Sequence, residues 1–263
     1  AYIYERAFFN GRFAGLMGNP NGLGLLATFS YALVRWVGQQ ETTSYSKQSL
    51  LIFRVLLFSV IILTGSRTAL LAIIAFELVL RVYRSKALLI LSLISLAFIG
   101  LVINSIAFDQ LIISLGLEDY LRVNSLETAS GRTNVWVVAY DEFLRQPWLG
   151  KGLKYDDYFI KDFALKNIGG NAPREWNAVW SSYLSLALDV GVIGIILFSY
   201  FWYRLYKAST DKVFGLAFIA MILTTAVTES WMAASMNAFM PVVLLIWTLQ
   251  INKTSVSHRA KSK

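Results

Sequence analysis

The sequence has no cysteine and only one histidine, His258, which lies in a polar segment near the carboxyl terminus. The missing thiols exclude a disulfide scaffold and thiolate metal ligands, and one histidine cannot build a zinc site from His and Cys ligands. Charge is also scarce. Asp, Glu, Lys and Arg make up 15% of the 263 residues, against roughly 25% in soluble domains. This composition argues against an ordinary soluble domain, a coiled coil or a disordered chain.

Apolar sequence is what the chain has in excess. Hydrophobic residues make up 56% of it, and the mean hydropathy is +0.55. Several apolar runs approach the roughly 20 residues that cross a bilayer core. The seven candidate spans are 22–38, 50–64, 68–83, 87–108, 179–206, 214–231 and 239–251. The sequence therefore predicts an all-α integral membrane protein with about seven transmembrane helices.

The spans divide the chain into four predicted segments. Residues 1–108 hold an external amino-terminal segment and four helices, and residues 109–178 form one long external loop with short amphipathic helices. Residues 179–251 hold the last three helices, and residues 252–263 form a cytoplasmic polar tail. The chain begins Ala-Tyr-Ile-Tyr, without an initiator Met or a signal-peptide pattern. We therefore expect a fragment whose amino-terminal part is missing.

Basic residues predict the orientation of these spans. The net charge is +8, and basic clusters follow the third, fifth and seventh spans. The clusters are Arg81, Arg84 and Lys86; Arg204, Lys207 and Lys212; and Lys253, Arg259, Lys261 and Lys263. Cytoplasmic loops carry such an excess of Lys and Arg. We predict a multi-pass protein of the bacterial cytoplasmic membrane, with the segment before the first span, the turn at residues 65–67 and the long loop outside.

Arginines on the predicted external side are candidates for ligand binding. Arg67 follows Gly65 in a tight turn between two spans, where a guanidinium is costly unless it is paired or wet. The start of the next helix adds free N–H groups, so the turn suits an anionic ligand. Pairing of Arg67 with phospholipid headgroups is the alternative.

Two further external segments carry an arginine. Arg132 precedes an apolar stretch that ends at Pro147, which predicts a short surface helix capped by Thr133 or Asn134. Its positive end suits phosphate, although an ordinary capped helix explains the same pattern. Arg12 precedes the turn at residues 19–22 and, taken alone, predicts a surface loop.

Two carboxylates fall within or beside the predicted spans. We expect Glu77 to pair with Arg81, one helical turn away. Glu229, near the outer end of the sixth span, has no partner nearby in the sequence. It is a functional candidate, with a hydrogen bond inside the helix bundle as the alternative.

Five motifs occur in a fixed order around the predicted external loop. They are Arg12 with Gly18-Asn19-Pro20-Asn21; Gly65-Ser66-Arg67-Thr68-Ala69; Ser130-Gly131-Arg132 with Trp136; Pro147-Trp148-Leu149-Gly150-Lys151-Gly152; and Ser182-Tyr183-Leu184 with Asp189-Val190-Gly191-Val192-Ile193-Gly194. From residue 12 to about residue 241, the chain resembles the bacterial O-antigen ligase and O-antigen polymerase superfamily.

The resemblance implies a membrane glycosyltransferase of surface-polysaccharide and lipopolysaccharide assembly. Such proteins transfer a glycan from undecaprenyl diphosphate to an acceptor hydroxyl outside the cytoplasmic membrane, so the implied partners are a lipid-linked donor, a glycan or lipid A-core acceptor and membrane lipid, without nucleic acid. By this resemblance Arg12 and Arg67 bind the diphosphate, and we add Arg132 to the diphosphate-binding candidates. No cofactor or metal is required, because the donor arrives activated.

One departure from the family pattern concerns the base. Ligases of this family carry His-Asn eleven and ten residues before the glycine that corresponds to Gly191, whereas this chain has Trp180 and Ser181 there. Glu175 or Glu229 becomes the candidate catalytic carboxylate. The departure favours a polymerase, with a ligase as the alternative. A transporter for the same lipid-linked oligosaccharide is the alternative from another class, but transporters place polar residues at the bilayer midplane.

Overall fold

The computed structural model describes residues 7–9, 11–40, 43–83, 85, 132–167, 176, 178–232 and 238–260, and this part of the chain is mostly helical. A short hairpin of β1 (Phe8–Phe9) and β2 (Arg12–Phe13) comes first, followed by a 3-10 turn at Gly15–Met17. The helices are α1 (Pro20–Val37), α2 (Lys47–Thr64), α3 (Arg67–Val82), α4 (Arg132–Arg145), α5 (Tyr155–Asn167), α6 (Ser182–Ala208), α7 (Lys212–Thr228) and α8 (Met240–Ala260).

Six of the seven predicted spans coincide with helices: α1, α2, α3, α6, α7 and α8. The fourth, residues 87–108, lies outside the described residues. Of the described helices, α2 and α6 are long and apolar enough to cross a membrane, and α7 and Met240–Ile251 are shorter apolar helices. Helix α2 exposes large apolar side chains, including Phe53 and Leu56, as expected of a helix that contacts lipid. The predicted all-α membrane architecture agrees with these helices.

The chain divides into two compact units. The first contains residues 1–92, 203–225 and 236–263, and the second contains residues 93–202 and 226–235. In the first unit, α1 packs against α2, α3 and α8. The core of this unit is aromatic. Phe218 packs against Phe29, Phe214 and Trp247, with ring centroids 6.1, 6.3 and 5.6 Å away.

Helix α1 lies very close to the turn between α2 and α3. A Cβ atom on Gly24 would stand 2.9 Å from Cβ of Ser66 and 3.1 Å from Oγ1 of Thr64. Thr28, one turn further along α1, donates a hydrogen bond to the Gly24 carbonyl (2.8 Å). The absence of a side chain at Gly24 therefore lets the backbone of α1 approach the turn that carries Arg67.

The expected pairing of Glu77 with Arg81 is wrong. Glu77 instead accepts hydrogen bonds from Tyr31 (2.9 Å) and Arg35 (3.3 Å), both on α1. An exposed pair one turn apart contributes only about 0.2–0.5 kcal/mol. Because α3 packs against α1, the Glu77 carboxylate faces α1. There it accepts hydrogen bonds from two side chains and is mostly buried.

The second unit has its own core, formed where α4, α5 and the first part of α6 meet. Its fully buried side chains are Val135, Ala139, Ile160, Val179 and Leu188. Helices α4 and α5 fall within the segment predicted to form the external loop. Residues 109–131 of that predicted loop lie outside the described residues.

Helix α6 is broken at Gly191, whose backbone adopts φ 62° and ψ −171°. The segment of residues 147–152 packs against this break. The Val192 and Ile193 amides donate to the Pro147 and Trp148 carbonyls (2.8 and 3.1 Å) instead of to carbonyls one turn back in their own helix. Unpaired backbone groups are costly in an apolar environment. The inserted segment supplies the acceptors that the break removes.

The same segment also provides hydrogen-bond donors for the backbone carbonyls that precede the break. The Leu188 and Asp189 carbonyls accept hydrogen bonds from the Lys151 and Gly152 amides, both at 2.9 Å. The Asp189 carboxylate accepts from the backbone amides of Lys154 (2.9 Å) and Asp156 (3.0 Å), at the start of α5. The two glycine-containing motifs that the sequence places about 40 residues apart therefore form one hydrogen-bonded structure.

We predict that Gly191→Ala destabilises the protein far more than Gly18→Ala. Both glycines have a positive φ, 62° and 63°, but their ψ angles differ: Gly18 (ψ −1°) lies near the left-handed helical region, where alanine costs about 1–2 kcal/mol, whereas Gly191 (ψ −171°) lies in a region that is essentially open to glycine alone. At Gly191 the new Cβ would also stand 2.5 Å from the carbonyl of Trp148, whereas at Gly18 nothing lies within 4 Å. Thermal unfolding in detergent measures the difference. Equal losses of melting temperature would contradict the close packing at the break.

Candidate active site

Arg12 is held against the carboxyl end of α2. Its Nε donates to the Thr64 carbonyl (2.7 Å), and its Nη2 donates to Oδ1 of Asn21 (2.6 Å). The last carbonyls of a helix have no partner within the helix, and the guanidinium satisfies one of them here. Both acceptors are neutral oxygens, so these two contacts position the guanidinium without neutralising its charge. Arg12 also lies in strand β2, so the surface loop expected from its sequence alone is wrong.

The turn that receives Arg12 also carries Arg67. Gly65 ends α2 in a left-handed conformation (φ 57°), and the Ser66 hydroxyl caps α3 by accepting from the Ala69 amide (3.4 Å). Arg67 is the first residue of α3 and is half-buried. The structure thus brings Arg12 and Arg67 to one turn, beside the amino terminus of a helix. Guanidinium groups form charge-assisted hydrogen bonds with phosphate oxygens, and a helix amino terminus favours negative charge, so this arrangement suits a phosphate.

Asn21 belongs to the motif grouped with Arg12, but its contact with the Arg12 guanidinium was not predicted from the sequence. The prediction of a turn at residues 19–22 is wrong, because α1 already begins at Pro20; Asn19 is its cap, and the Asn19 side chain accepts from the amides of Asn21 (2.9 Å) and Gly22 (3.4 Å). Because Asn19 is the cap, the Asn21 side chain can receive the guanidinium of Arg12. Two asparagines two residues apart signal a turn, but they do not reveal this division of roles.

In the second unit, Arg132 pairs with Glu229. Nη2 of Arg132 is 3.2 Å from Oε1 of Glu229, and Nη1 donates to the Thr228 carbonyl (2.7 Å). The two side chains are only 16% and 10% exposed. Helix α4 begins at Arg132 itself, so the expected cap at Thr133 or Asn134 is wrong. The partner that Glu229 lacks in the local sequence is thus supplied from 97 residues away.

Trp180 completes this group, which we call the Arg132 cluster (Arg132, Trp180 and Glu229). The Trp180 ring lies under the Arg132 guanidinium, 5.3 Å from ring centroid to Cζ. Its backbone φ is 57°, a conformation that side-chain-bearing residues rarely adopt. Trp180 is also the position at which the resembling ligases carry histidine. The candidate carboxylate and the altered family position therefore belong to one cluster.

Ser182, the first residue of α6, holds the backbone around Glu229 in place. The Ser182 hydroxyl donates to the Glu229 carbonyl (2.6 Å) and accepts from the amides of Trp231 (3.0 Å) and Met232 (3.2 Å). This buried hydroxyl fixes the backbone direction on either side of Ser230. The other carboxylate candidate, Glu175, lies outside the described residues. In the part of the chain that the structure describes, no three His, Cys, Asp or Glu side chains are grouped as metal ligands.

A second buried carboxylate, Glu142, joins α4 to the segment that enters the α6 break. It accepts hydrogen bonds from the Lys151 ammonium and from the Tyr155 hydroxyl (2.6 Å), and it pairs with Arg145 (2.9 Å). Burial raises the pKa of the Glu142 carboxyl, but these donors and charges outweigh burial and hold the pKa below its ordinary 4.5. The hydrogen bond to Glu142 raises the pKa of the Lys151 ammonium above 10.5.

We predict an acid-dependent difference in stability between wild type and Glu142→Gln. The lowered pKa of Glu142 gives stability that is present above about pH 4.5 and is lost as the pH falls through the folded-state pKa. The raised pKa of Lys151 gives stability that is lost only above about pH 10.5. The advantage of wild type in melting temperature should be constant from pH 5 to 9 and should shrink in acid. Asp162→Asn, which removes an exposed pair with Lys166, is the control and should change little. A gap that is equal at pH 3 and pH 7 would contradict the ion-pair assignment.

Comparison with known proteins adds one match. A family model described as O-antigen ligase matches residues 52–199, which is more than half of the chain. The matched range includes Arg67, Arg132 and Trp180, as well as the inserted segment and the α6 break. No curated protein sequence matches the chain.

Proposed function

Because the chain belongs to the O-antigen ligase family, whose members carry out glycosyl transfer at the membrane in O-antigen assembly, we propose that it transfers a glycan from undecaprenyl diphosphate to an acceptor hydroxyl. The observation that carries this proposal is the meeting of Arg12 and Arg67 at the turn between α2 and α3. The positive-inside pattern of the basic clusters supports an external position for that turn, on the periplasmic side of the inner membrane.

In the proposed reaction, the bond between the anomeric carbon and the diphosphate oxygen breaks, and its electron pair remains on the diphosphate. The acceptor oxygen bonds to the anomeric carbon, with inversion, and loses its proton. Negative charge therefore grows on the leaving diphosphate. Cationic groups already in position stabilise that change more than they stabilise the bound donor, which lowers the barrier. Arg12 and Arg67 have this role, and the hydrogen bonds of Arg12 to Thr64 and Asn21 support it by orienting the guanidinium.

Glu229 is the proposed proton acceptor for the acceptor hydroxyl. A carboxylate can replace the family histidine as a general base if a neighbour holds it in position. Arg132 supplies that neighbour, and Trp180 stands at the histidine position in the same cluster. Arg132 is proposed to bind phosphate as well, and Glu175 remains the second carboxylate candidate.

The acceptor that we favour is another lipid-linked glycan, which makes the protein a polymerase. The replacement of His-Asn by Trp180 and Ser181 supports this choice, since that pair is typical of ligases. The description of the matched family as O-antigen ligase favours the alternative, in which the acceptor is lipid A-core or a protein. Both alternatives share the donor and the leaving group.

We predict that Arg67→Ala abolishes transfer. The complete protein would be expressed as wild type or variant in a strain that lacks its own copy, and glycans on undecaprenyl diphosphate would be extracted and resolved by length. Single repeat units that accumulate in the variant, with long chains in wild type, indicate a polymerase. Long chains that accumulate on the carrier lipid in the variant indicate a ligase. Arg145→Ala removes an exposed arginine (side chain 74% exposed) and is the matched control, which should behave as wild type. No change in either pool would mean that Arg67 is only an interfacial anchor.

We predict separately that Glu229→Gln slows transfer by about 10²–10⁴-fold, the usual contribution of a general base. Glutamine keeps the shape and the hydrogen bond to Arg132 but cannot take a proton. Adding Trp180→His to this variant should restore part of the rate, because histidine supplies a base and tolerates a left-handed backbone better than tryptophan. Glu142→Gln, which removes a different buried carboxylate, should retain transfer once protein amounts are equalised. A wild-type rate in Glu229→Gln would remove Glu229 from the reaction.

A further inference from the structure

A cavity of about 210 Å³ lies in the first unit, where the carboxyl end of α1 meets the amino end of α2. It is lined by Val34, Arg35, Gly38, Lys47, Leu50 and Arg54. Half of these residues are cations, and none is an acid. We call this cavity the basic cavity. It lies in the first half of α2, an 18-residue helix, and the Arg67 turn lies beyond the other end, roughly 15–27 Å along the helix axis from the cavity residues Arg54 and Lys47.

The charges around the basic cavity do not balance. Arg35 pairs with Glu77 at 3.3 Å, so the charge of Arg35 is matched by a carboxylate on α3. Lys47 and Arg54 contact no carboxylate among the described residues. Among the residues that the structure describes, the cavity therefore carries an excess of about two positive charges, which attracts an anion.

The position of Arg54 indicates where an anion attracted by this positive charge would lie. Arg54 is the eighth residue of α2, a helix long and apolar enough to cross a membrane. A cation within such a helix is costly unless it pairs or reaches water. The neighbouring side chains of Phe53 and Val55 are large, apolar and more than half exposed, as expected of a surface that contacts acyl chains. The anion would therefore meet the cations next to a lipid-facing surface.

We propose that the basic cavity binds the phosphodiester headgroup of an anionic phospholipid. A phosphate with a single negative charge and several oxygen acceptors suits Lys47 and Arg54, and basic pockets between membrane helices bind such headgroups. A free phosphate has the same charge chemistry. The lipid is the better occupant, because Val34 and Leu50 provide an apolar wall and the exposed face of α2 accommodates the chains. The basic clusters predict that this end of α2 faces the cytoplasm, where such a lipid would act apart from the glycan donor.

The test measures lipid binding by native mass spectrometry of the complete protein, released from detergent after equilibration with phosphatidylglycerol or phosphatidylcholine. Wild type should bind phosphatidylglycerol more tightly. Lys47→Gln combined with Arg54→Gln should weaken that binding by about fivefold for each cation removed. Arg81→Gln removes an exposed cation from α3, outside the cavity, and is the matched control, which should bind as wild type.

Three results would overturn the proposal. These are equal binding of phosphatidylglycerol and phosphatidylcholine, an equal loss of binding in Arg81→Gln, and displacement of phosphatidylglycerol by an equimolar concentration of inorganic phosphate, which would identify a free anion as the occupant. If the double variant does not fold, Lys47→Gln alone serves as the test, because Lys47 is exposed and its replacement should not disturb folding. It should show the single fivefold loss, and unchanged binding in this variant would also contradict the proposal. Lys47→Arg with Arg54→Lys keeps both charges and should retain most of the binding.

Discussion

The fold depends on one constraint: a backbone amide or carbonyl in a membrane helix must find a partner within the protein. Helix α6 breaks at Gly191 and would leave such groups unpaired on both sides of the break. The segment of residues 147–152 supplies donors and acceptors to both sides, and the Asp189 carboxylate then fixes the start of α5. Helix α4 is joined to the same segment through Glu142 and Lys151. In the second unit, α4, α5 and residues 147–152 are thus all connected to the hydrogen bonds that satisfy the backbone at the break in α6.

The first unit meets the same constraint at a helix end. Helix α2 ends at Thr64, and its carbonyl receives the guanidinium of Arg12 from the hairpin. The close approach of α1 at Gly24 keeps Asn21 within reach of the same arginine. An interaction that completes a helix terminus thereby holds a cation in place, and the stability of the turn and the position of the charge have a common origin.

Much of this could be predicted from the sequence. Apolar runs revealed six of the described helices, because hydropathy depends on composition over about twenty residues. The helix start at Asn19 and the turn at Gly65 could be located from local chemistry. Ion pairs between residues far apart in the sequence could not be predicted in this way. The sequence suggested Arg81 as the partner of Glu77, whereas the partner is Arg35, and it suggested no partner for Glu229, which pairs with Arg132. A sequence records which residues are one helical turn apart, but helix packing decides which charged side chains meet when 42 or 97 residues separate them.

The broken helix has a consequence for motion in the second unit. A straight α6 would satisfy its own backbone, with Val192 and Ile193 bonded one turn back, and would release residues 147–152. The kinked and straight forms therefore differ by an exchange of hydrogen-bond partners on the helix side, with little net loss there. Any straightening of α6 would therefore have to release residues 147–152 at the same time, so helix geometry and loop position are coupled through these hydrogen bonds, and the anchoring of α5 by Asp189 is coupled to both.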